Sequence, residues 1–332
     1  MSLHRFRLAL EGPLGTPLSS GTLFGHLCWA MLRRQGEPAL VAWLADLRAG
    51  TRHFLLSDAF PKDLLPRPLL PPFRQPDQTG TKEADEAKSR AKRPWVKRSD
   101  WLVHRGALSP GRLDGILTDW TSPAGDGSCN RGPPRHAGAK RPEQDVRRQP
   151  VRAVHAHNVI DRLTGTTPEI AGLWFVEDDW SFAAAAERDL YIDTDLPAAE
   201  VEALLAEVGA HGYGRDATYG RGLFRVLDGD LDRALADHAG NRLMSLAHGC
   251  LTPNMADARW ERFTHFGKVG IEMALTGARP FKRPILLMKP GATFRLEGAG
   301  PFGALLEGVH QGPPDIVHHA WHLAIPYTEA AA

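Results

Sequence analysis

The sequence predicts an α+β fold, and three observations predict it. Its 33 Gly and 26 Pro in 332 residues call for many turns and long connections. Segments with a two-residue apolar period alternate with segments of period three and four. Glycine- and proline-rich stretches, rather than tight helix–helix turns, separate them. His4 to Glu11 alternates polar and apolar residues and is expected to form the first strand. Residues 12–17 (GPLGTP) form a turn-rich connection, after which Ser19 or Ser20 caps a helix from about Thr22 to Arg34. Its Leu23, Leu27, Ala30 and Met31 share one face. Pro38 opens a second helix, Ala39 to Arg48. His53 to Ser57 reads as a short strand, and the prolines at 66, 68, 71 and 72 rule out regular structure after it.

Residues 74–150 are the least globular part, with few aliphatics apart from a hairpin expected around Trp101 to Leu117. Order resumes at Arg152. Gly172 to Glu177 and Asp189 to Asp193 read as strands, and Pro197 to Val208 as a helix with Val201, Leu204, Leu205 and Val208 on one face. Leu223 to Leu227 reads as a further strand. With the insertion set aside, the order is β-α-β-β-α-β, the ferredoxin-like (RRM-like) pattern. After Gly229 the chain is mostly strand: Arg242 to Cys250, Arg262 to Leu275, Ile285 to Met288, Thr293 to Glu297 and Ile316 to Pro326, with one short helix, Asp230 to His238. The expected organisation is a ferredoxin-like domain over 1–228, carrying a basic insertion at about 74–155, and a second, degenerate and β-rich unit over 229–328.

Composition excludes several classes. No apolar run approaches the roughly 18 residues of a membrane span. The opening MSLHRFRLALEG lacks the apolar core of a signal peptide, so a cytoplasmic protein with no membrane partner is expected. Cys28, Cys129 and Cys250 are odd in number and never in CxxC spacing, which excludes a zinc ribbon and suggests free thiols. Net charge is +1, but it is unevenly placed. Lys88 to Arg152 holds fifteen Lys/Arg against six Asp/Glu, whereas Glu177 to Glu207 holds ten acidic residues and one Arg. A basic segment of that size neutralises several phosphates or forms a solvated loop; the acidic one suits an exposed helix face. His318, His319 and His322 would share a metal only on a helix. Their segment reads as a strand, so no metal and no cofactor are expected.

The sharpest local feature is GYGRDATYGRGLF, Gly212 to Phe224. Gly212, Gly214, Gly220 and Gly222 permit positive φ and close approach of main-chain N–H groups to an anion. Arg215 and Arg221 supply forked donors for phosphate, and Tyr213 and Tyr219 supply stacking faces. The loop has neither GK[ST] nor GxGxxG, so it is no nucleotide-triphosphate or dinucleotide motif.

In content and position this loop resembles the glycine-rich loop of the RAMP superfamily of CRISPR proteins. Ser19 to Ala30 (SSGTLFGHLCWA) resembles the start of the Csm-type subunit that binds the guide RNA handle. Phe54 to Pro61, Pro66 to Pro72, His157 to Gly165 (HNVIDRLTG), Phe266 to Gly270 (FGKVG), Arg279 to Phe294 and Ile316 to Tyr327 look like further segments of that family, in order. The resemblance covers most of the chain outside 74–150. Gly21 departs from it, because the family usually has an acidic residue there.

The resemblance implies a non-catalytic RNA-binding subunit of a type III CRISPR interference complex. Its partners would be the 5′ handle of the crRNA, the large palm-domain polymerase/cyclase subunit, the backbone RAMP subunits and, indirectly, target RNA. A thumb-like hairpin would fall between about Trp95 and Arg152. Expected RNA contacts are Ser19, Thr22 and His26 at the first helix and His155, Asn158 and Arg162 in the middle of the chain. Gly212, Gly214, Arg215, Tyr219, Gly220, Arg221 and Gly222 would contribute from the loop, and Lys268, Lys282 and Arg283 near the C-terminal strands. Two other readings stay open: a metal-independent RAMP endoribonuclease using His155 or His157 as general acid/base, and a protein–protein adaptor that binds no RNA.

Overall fold

The computed structural model describes residues 2–71, 89–90, 92–119, 151–170, 172–181, 186–270, 280–297, 300–312 and 316–330. In chain order the first part runs β1 (Leu3–Leu10), α1 (Ser20–Gln35), α2 (Glu37–Ala49), β2 (Phe54–Leu56), β3 (Phe60–Pro61), β4 (Leu64–Pro66), β5 (Trp95–Lys97), α3 (Arg98–His104), α4 (Pro110–Ile116) and β6 (Leu117–Thr118). It continues with β7 (Val151–Asn158), β8 (Leu173–Trp180), β9 (Glu187–Thr194), α5 (Ala198–His211) and β10 (Phe224–Leu231). The rest comprises α6 (Arg233–Ala236), β11 (Arg242–Ser245), β12 (Met255–Arg259), β13 (Arg262–His265), β14 (Ile285–Met288), β15 (Thr293–Leu296), β16 (Gly303–Leu306), β17 (His318–Trp321) and β18 (Ala324–Tyr327). This is a mixed α+β fold with antiparallel sheets, as composition and periodicity indicate.

The main sheet has the order β10–β1–β9–β2, with β3 also pairing β9. One face of β1 presents Phe6, Leu8 and Leu10 to α1 and α5, which contribute Leu23, Leu27, Met31, Val201, Leu204 and Leu205 to a single buried cluster. Burying apolar side chains of this size stabilises by about 1.5–3 kcal/mol each. The other face carries Leu3 and Tyr191 into a second cluster with Trp101, Leu108, Leu113 and Leu117, closed by Met244, Leu323, Ile325 and Tyr327 from the C-terminal strands. A further four-stranded sheet has the order β12–β15–β11–β18.

Asp58 lies where these parts meet. Its Oδ1 accepts from the Ser20 N–H at 2.9 Å, so a distant carboxylate caps α1, and Ser19 makes no capping bond of its own. Its Oδ2 lies 2.7 Å from His248 Nδ1 and its own N–H donates to Leu246. Helix start, main sheet and C-terminal part are thereby joined through one side chain.

Several expectations need correction. Trp101 to Leu117 is not a hairpin but contains α3 and α4. Ser109 caps α4 by accepting from the Arg112 N–H, Pro110 occupies its first turn, and Trp101, Leu108 and Leu113 are buried. The helix expected at Asp230 to His238 shortens to α6, because Asp230 and Leu231 pair with Arg5 and His4 in the sheet. The acidic stretch is no exposed face throughout: Asp178, Asp189 and Asp193 are buried. Residues 120–150 of the basic stretch lie outside the described residues.

The histidines at 318, 319 and 322 stand on and beside strand β17, as expected, and each is at most 2% exposed. His319 Nε2 lies 2.9 Å from the Phe54 carbonyl, and His322 bonds Ser245 Oγ and the Cys250 carbonyl. Burial pushes His319 and His322 down to about 4 and His318 to about 2. The folded chain therefore keeps these rings neutral while the unfolded chain protonates below pH 6.5, so stability present at neutral pH is lost as pH falls. Each ring contributes up to about 1.4 kcal/mol per pH unit below 6.5 until its folded value is reached. Denaturant titrations at pH 7 and 5 should show a marked drop in unfolding free energy, and His322→Gln should flatten that pH slope.

Candidate nucleic-acid interface

The glycine-rich loop follows α5 and leads into β10. Gly212, Gly214, Gly220 and Gly222 have φ of 85°, 77°, 81° and 68°, as their glycine content requires. At Gly222 a Cβ would lie 2.1 Å from the Tyr213 carbonyl oxygen, so the two limbs of the loop close on each other.

That closure overturns the expected cradle of unengaged amides. The N–H groups of Tyr213, Tyr219, Gly220, Arg221 and Gly222 donate to the carbonyls of Gly222, Asp216, Ala217, Asp216 and Pro13. The Gly214 N–H donates to His26 Nε2 and the Arg215 N–H to Thr16 Oγ1, each at 3.0 Å. Backbone donors satisfied within the chain are not available to a phosphate. Tyr213 is also no stacking platform: it is buried, donates from its hydroxyl to Pro17 and packs on His26 at 5.0 Å. His26, pushed down to about 4 by burial and then by Arg33, is a neutral acceptor for the loop. Tyr219, 81% exposed, keeps an accessible ring.

The arginines have a different partner from the one expected. Arg221 grips Asp178 through Nε and Nη2, both at 2.7 Å, and that fork holds the Asp178 carboxyl below the usual range. Arg215 Nη2 lies 3.6 Å from the same carboxylate and donates to the Glu177 carbonyl, and His155 Nε2 lies 3.8 Å from that carboxylate. Asp178 belongs to β8, which pairs with β7 over all eight residues. Leu14 and Asp179 exchange main-chain hydrogen bonds of 2.9 and 3.0 Å. The arginine loop therefore fastens the base of a β-hairpin to the main sheet.

The hairpin of β7 and β8 starts at the end of the interval expected for a thumb, of which 120–150 lies outside the described residues. One face of its distal half carries Val154, Leu173 and Phe175, all exposed, and the other carries His157 stacked on Trp174 at 5.5 Å and 13°. Ile160, Leu163 and Ile170 are exposed beyond the strand ends. Asn158 bonds Thr167 across the turn, and Arg162 is exposed near the tip with no ion pair among the described residues. Only the second strand of this hairpin was anticipated.

At the start of α1, Ser19 Oγ donates to Thr22 Oγ1, and both residues are half-buried. A Cβ on Gly21 would lie 2.5 Å from His318 Cε1, so the imidazole occupies the room an acidic side chain would need. Lys282 turns inward: its Nζ donates to the Val317 carbonyl, and burial pushes it down to about 8. It is no surface phosphate contact. Lys268 and Arg283 are exposed.

No family model and no curated protein matches this chain. Solved structures do. A chain of a Csm1–Csm4 cassette in complex with pppApA superposes with a TM-score of 0.58 at 14% identity, covering 99% of both chains. A chain of a Csm3–Csm4 subcomplex of the type III-A CRISPR-Cas interference complex gives 0.56 at 13% identity, covering 98% of this chain and 99% of the other. A Csm1–Csm4 cassette with cA4 gives 0.55 at 14%, again over 99% of both. The chain thus shares its overall fold with a chain of these type III-A assemblies. Csm4 is the component common to all three structures.

Because Asp178 is buried, removing Arg221 strips its two short charge-assisted hydrogen bonds and leaves only the longer contacts of Arg215 and His155. Arg221→Ala should cost about 3 kcal/mol of stability, as for other broken buried pairs. Asp178→Asn should instead lose the part of the acid dependence that comes from this lowered carboxyl, whose contribution is present above about pH 4 and fades as pH falls through its folded value. Urea melts at pH 7 and pH 3.5 check both.

Proposed function

We propose that this chain is an RNA-binding subunit of a type III CRISPR interference complex and that it holds the 5′ handle of the crRNA. One observation carries the reading: a hairpin with exposed apolar and aromatic side chains is clamped at its base, by Arg215 and Arg221 on Asp178, beside the start of α1. A rigid two-stranded arm with Trp174 and Phe175 at its distal end suits stacking on irregular or unpaired bases. Full-length superposition on chains from Csm1–Csm4 and Csm3–Csm4 assemblies supports membership of such a complex. It also supports the large polymerase/cyclase subunit and a backbone RAMP subunit as partners.

The order β10–β1–β9–β2, with α1 after β1 and α5 after β9, is the connectivity of a ferredoxin-like unit, and we read the main sheet as one. The C-terminal sheets form the degenerate second unit in this reading. Ser19, Thr22, Asn158, Arg162, Tyr219, Lys268 and Arg283 remain its candidate RNA contacts. Arg215, Arg221, His26 and the four loop glycines act by fixing the hairpin and the loop.

Filter binding of handle RNA at several salt concentrations tests the reading. Affinity should fall log-linearly with salt, as counterion release requires, and Trp174→Ala/Phe175→Ala should weaken binding by roughly 10-fold, about what one lost base stack is worth. Salt-insensitive or absent binding would assign the chain to the adaptor class. Incubation with repeat RNA addresses catalysis: no cleavage is expected, and cutting abolished by His155→Ala or His157→Ala would make the chain a nuclease.

A further inference from the structure

A second hairpin packs beside α1, where Gly270 approaches Trp29. Strands β13 and β14 pair from Arg262↔Met288 to His265↔Ile285, and the pairing continues past them. The Lys282 N–H donates to Gly267, the Val269 N–H donates to Pro280, and Lys268 stands opposite Phe281. The register steps by one residue between His265/Ile285 and Lys268/Phe281, which leaves Pro284 in a bulge.

In this extension the two-residue side-chain period puts Phe266 and Lys268 on one face with Phe281 and Arg283. All four are exposed, Phe266 at 72% and Phe281 at 58%. Aromatic and cationic residues alternate along each strand, and Lys268 Nζ lies 5.2 Å from the centre of the Phe281 ring. The opposite face is packed. Gly267 is buried and Lys282 reaches the Val317 carbonyl. The Arg283 N–H is fixed on the Val309 carbonyl. The face is thus rigid from behind.

Its charge selects the occupant. From Arg262 to Leu287 the sequence holds five Lys/Arg and one Glu. Neither Lys268 nor Arg283 has an ion pair among the described residues, in contrast to Arg215 and Arg221. Two exposed rings interleaved with two cations that have no ion pair among the described residues match a strand in which bases and phosphates alternate.

We infer that Phe266, Lys268, Phe281 and Arg283 form a platform for single-stranded RNA, with the rings stacking on two bases and the cations neutralising flanking phosphates. The inference rests on the RNA-binding reading above but assigns the rings a role that reading does not need. His265, at the end of β13, packs on His318 at 4.7 Å, and His318 fills the space beside Gly21, so the platform adjoins the start of α1. A strand could therefore run from one hairpin to the other across that helix end.

The test is a fluorescence-anisotropy titration of the full chain with a labelled single-stranded RNA and, as control, the same-length abasic sugar-phosphate strand. Phe266→Leu/Phe281→Leu keeps apolar area and removes the rings. It should weaken RNA binding tenfold or more, leave abasic-strand binding unchanged and leave the salt slope unchanged. Lys268→Ala/Arg283→Ala should weaken both strands and lower the salt slope by about 1.4, the value for two single-strand phosphates. Wild-type RNA affinity in the Phe double variant, with its melting temperature intact, would overturn the platform and leave the RNA-binding reading standing. Retained RNA affinity together with lost co-purification of a complex subunit would also overturn it, assigning the face to a protein contact. Absence of RNA binding by the wild type would overturn both.

Discussion

The Asp58 carboxylate is the joint on which the arrangement depends. It caps α1 from outside the helix, holds His248 of the C-terminal part, and stands one residue past the stretch that runs along β9. A buried carboxylate that accepts from donors on two separate elements favours one relative placement of them. Here the donors come from the first helix and from the chain after β11. Helix start and C-terminal hairpin are thereby set side by side, and each proposed RNA-contacting element either adjoins that junction or is fastened to the loop beside it.

Much of the fold was legible because its signals are local. The periods of β1, α1, α5 and β14 identify those elements within a few residues. The misreadings have tertiary causes. Trp101 to Leu117 has aromatic and aliphatic residues at ambiguous spacing, and packing against β1 and β18 decides for helix. Strands β12 and β16 carry Ala and Gly and owe their extension to their partners.

The candidate site was legible in its residue types and not in their pairings. Glycines at positive φ and arginines beside them do mark a special loop, but an arginine's partner is invisible when it lies some forty residues away in sequence. Asp178 is that partner, and it changes Arg215 and Arg221 from ligand groups into fasteners. Exposed aromatics are equally hard to separate from core ones by sequence: Tyr213 and Tyr219 stand six residues apart, one in the core and one in solvent. Phe266 and Phe281 become a pair only through a strand register with a one-residue step.

The contact between Gly21 and His318 couples two distant positions. An acidic side chain at 21 and an imidazole at 318 compete for the same volume, so neither residue can drift independently of the other. Lineages in which position 21 bears a carboxylate must therefore have a smaller or redirected group at the position of His318, and the two sites should exchange as a set.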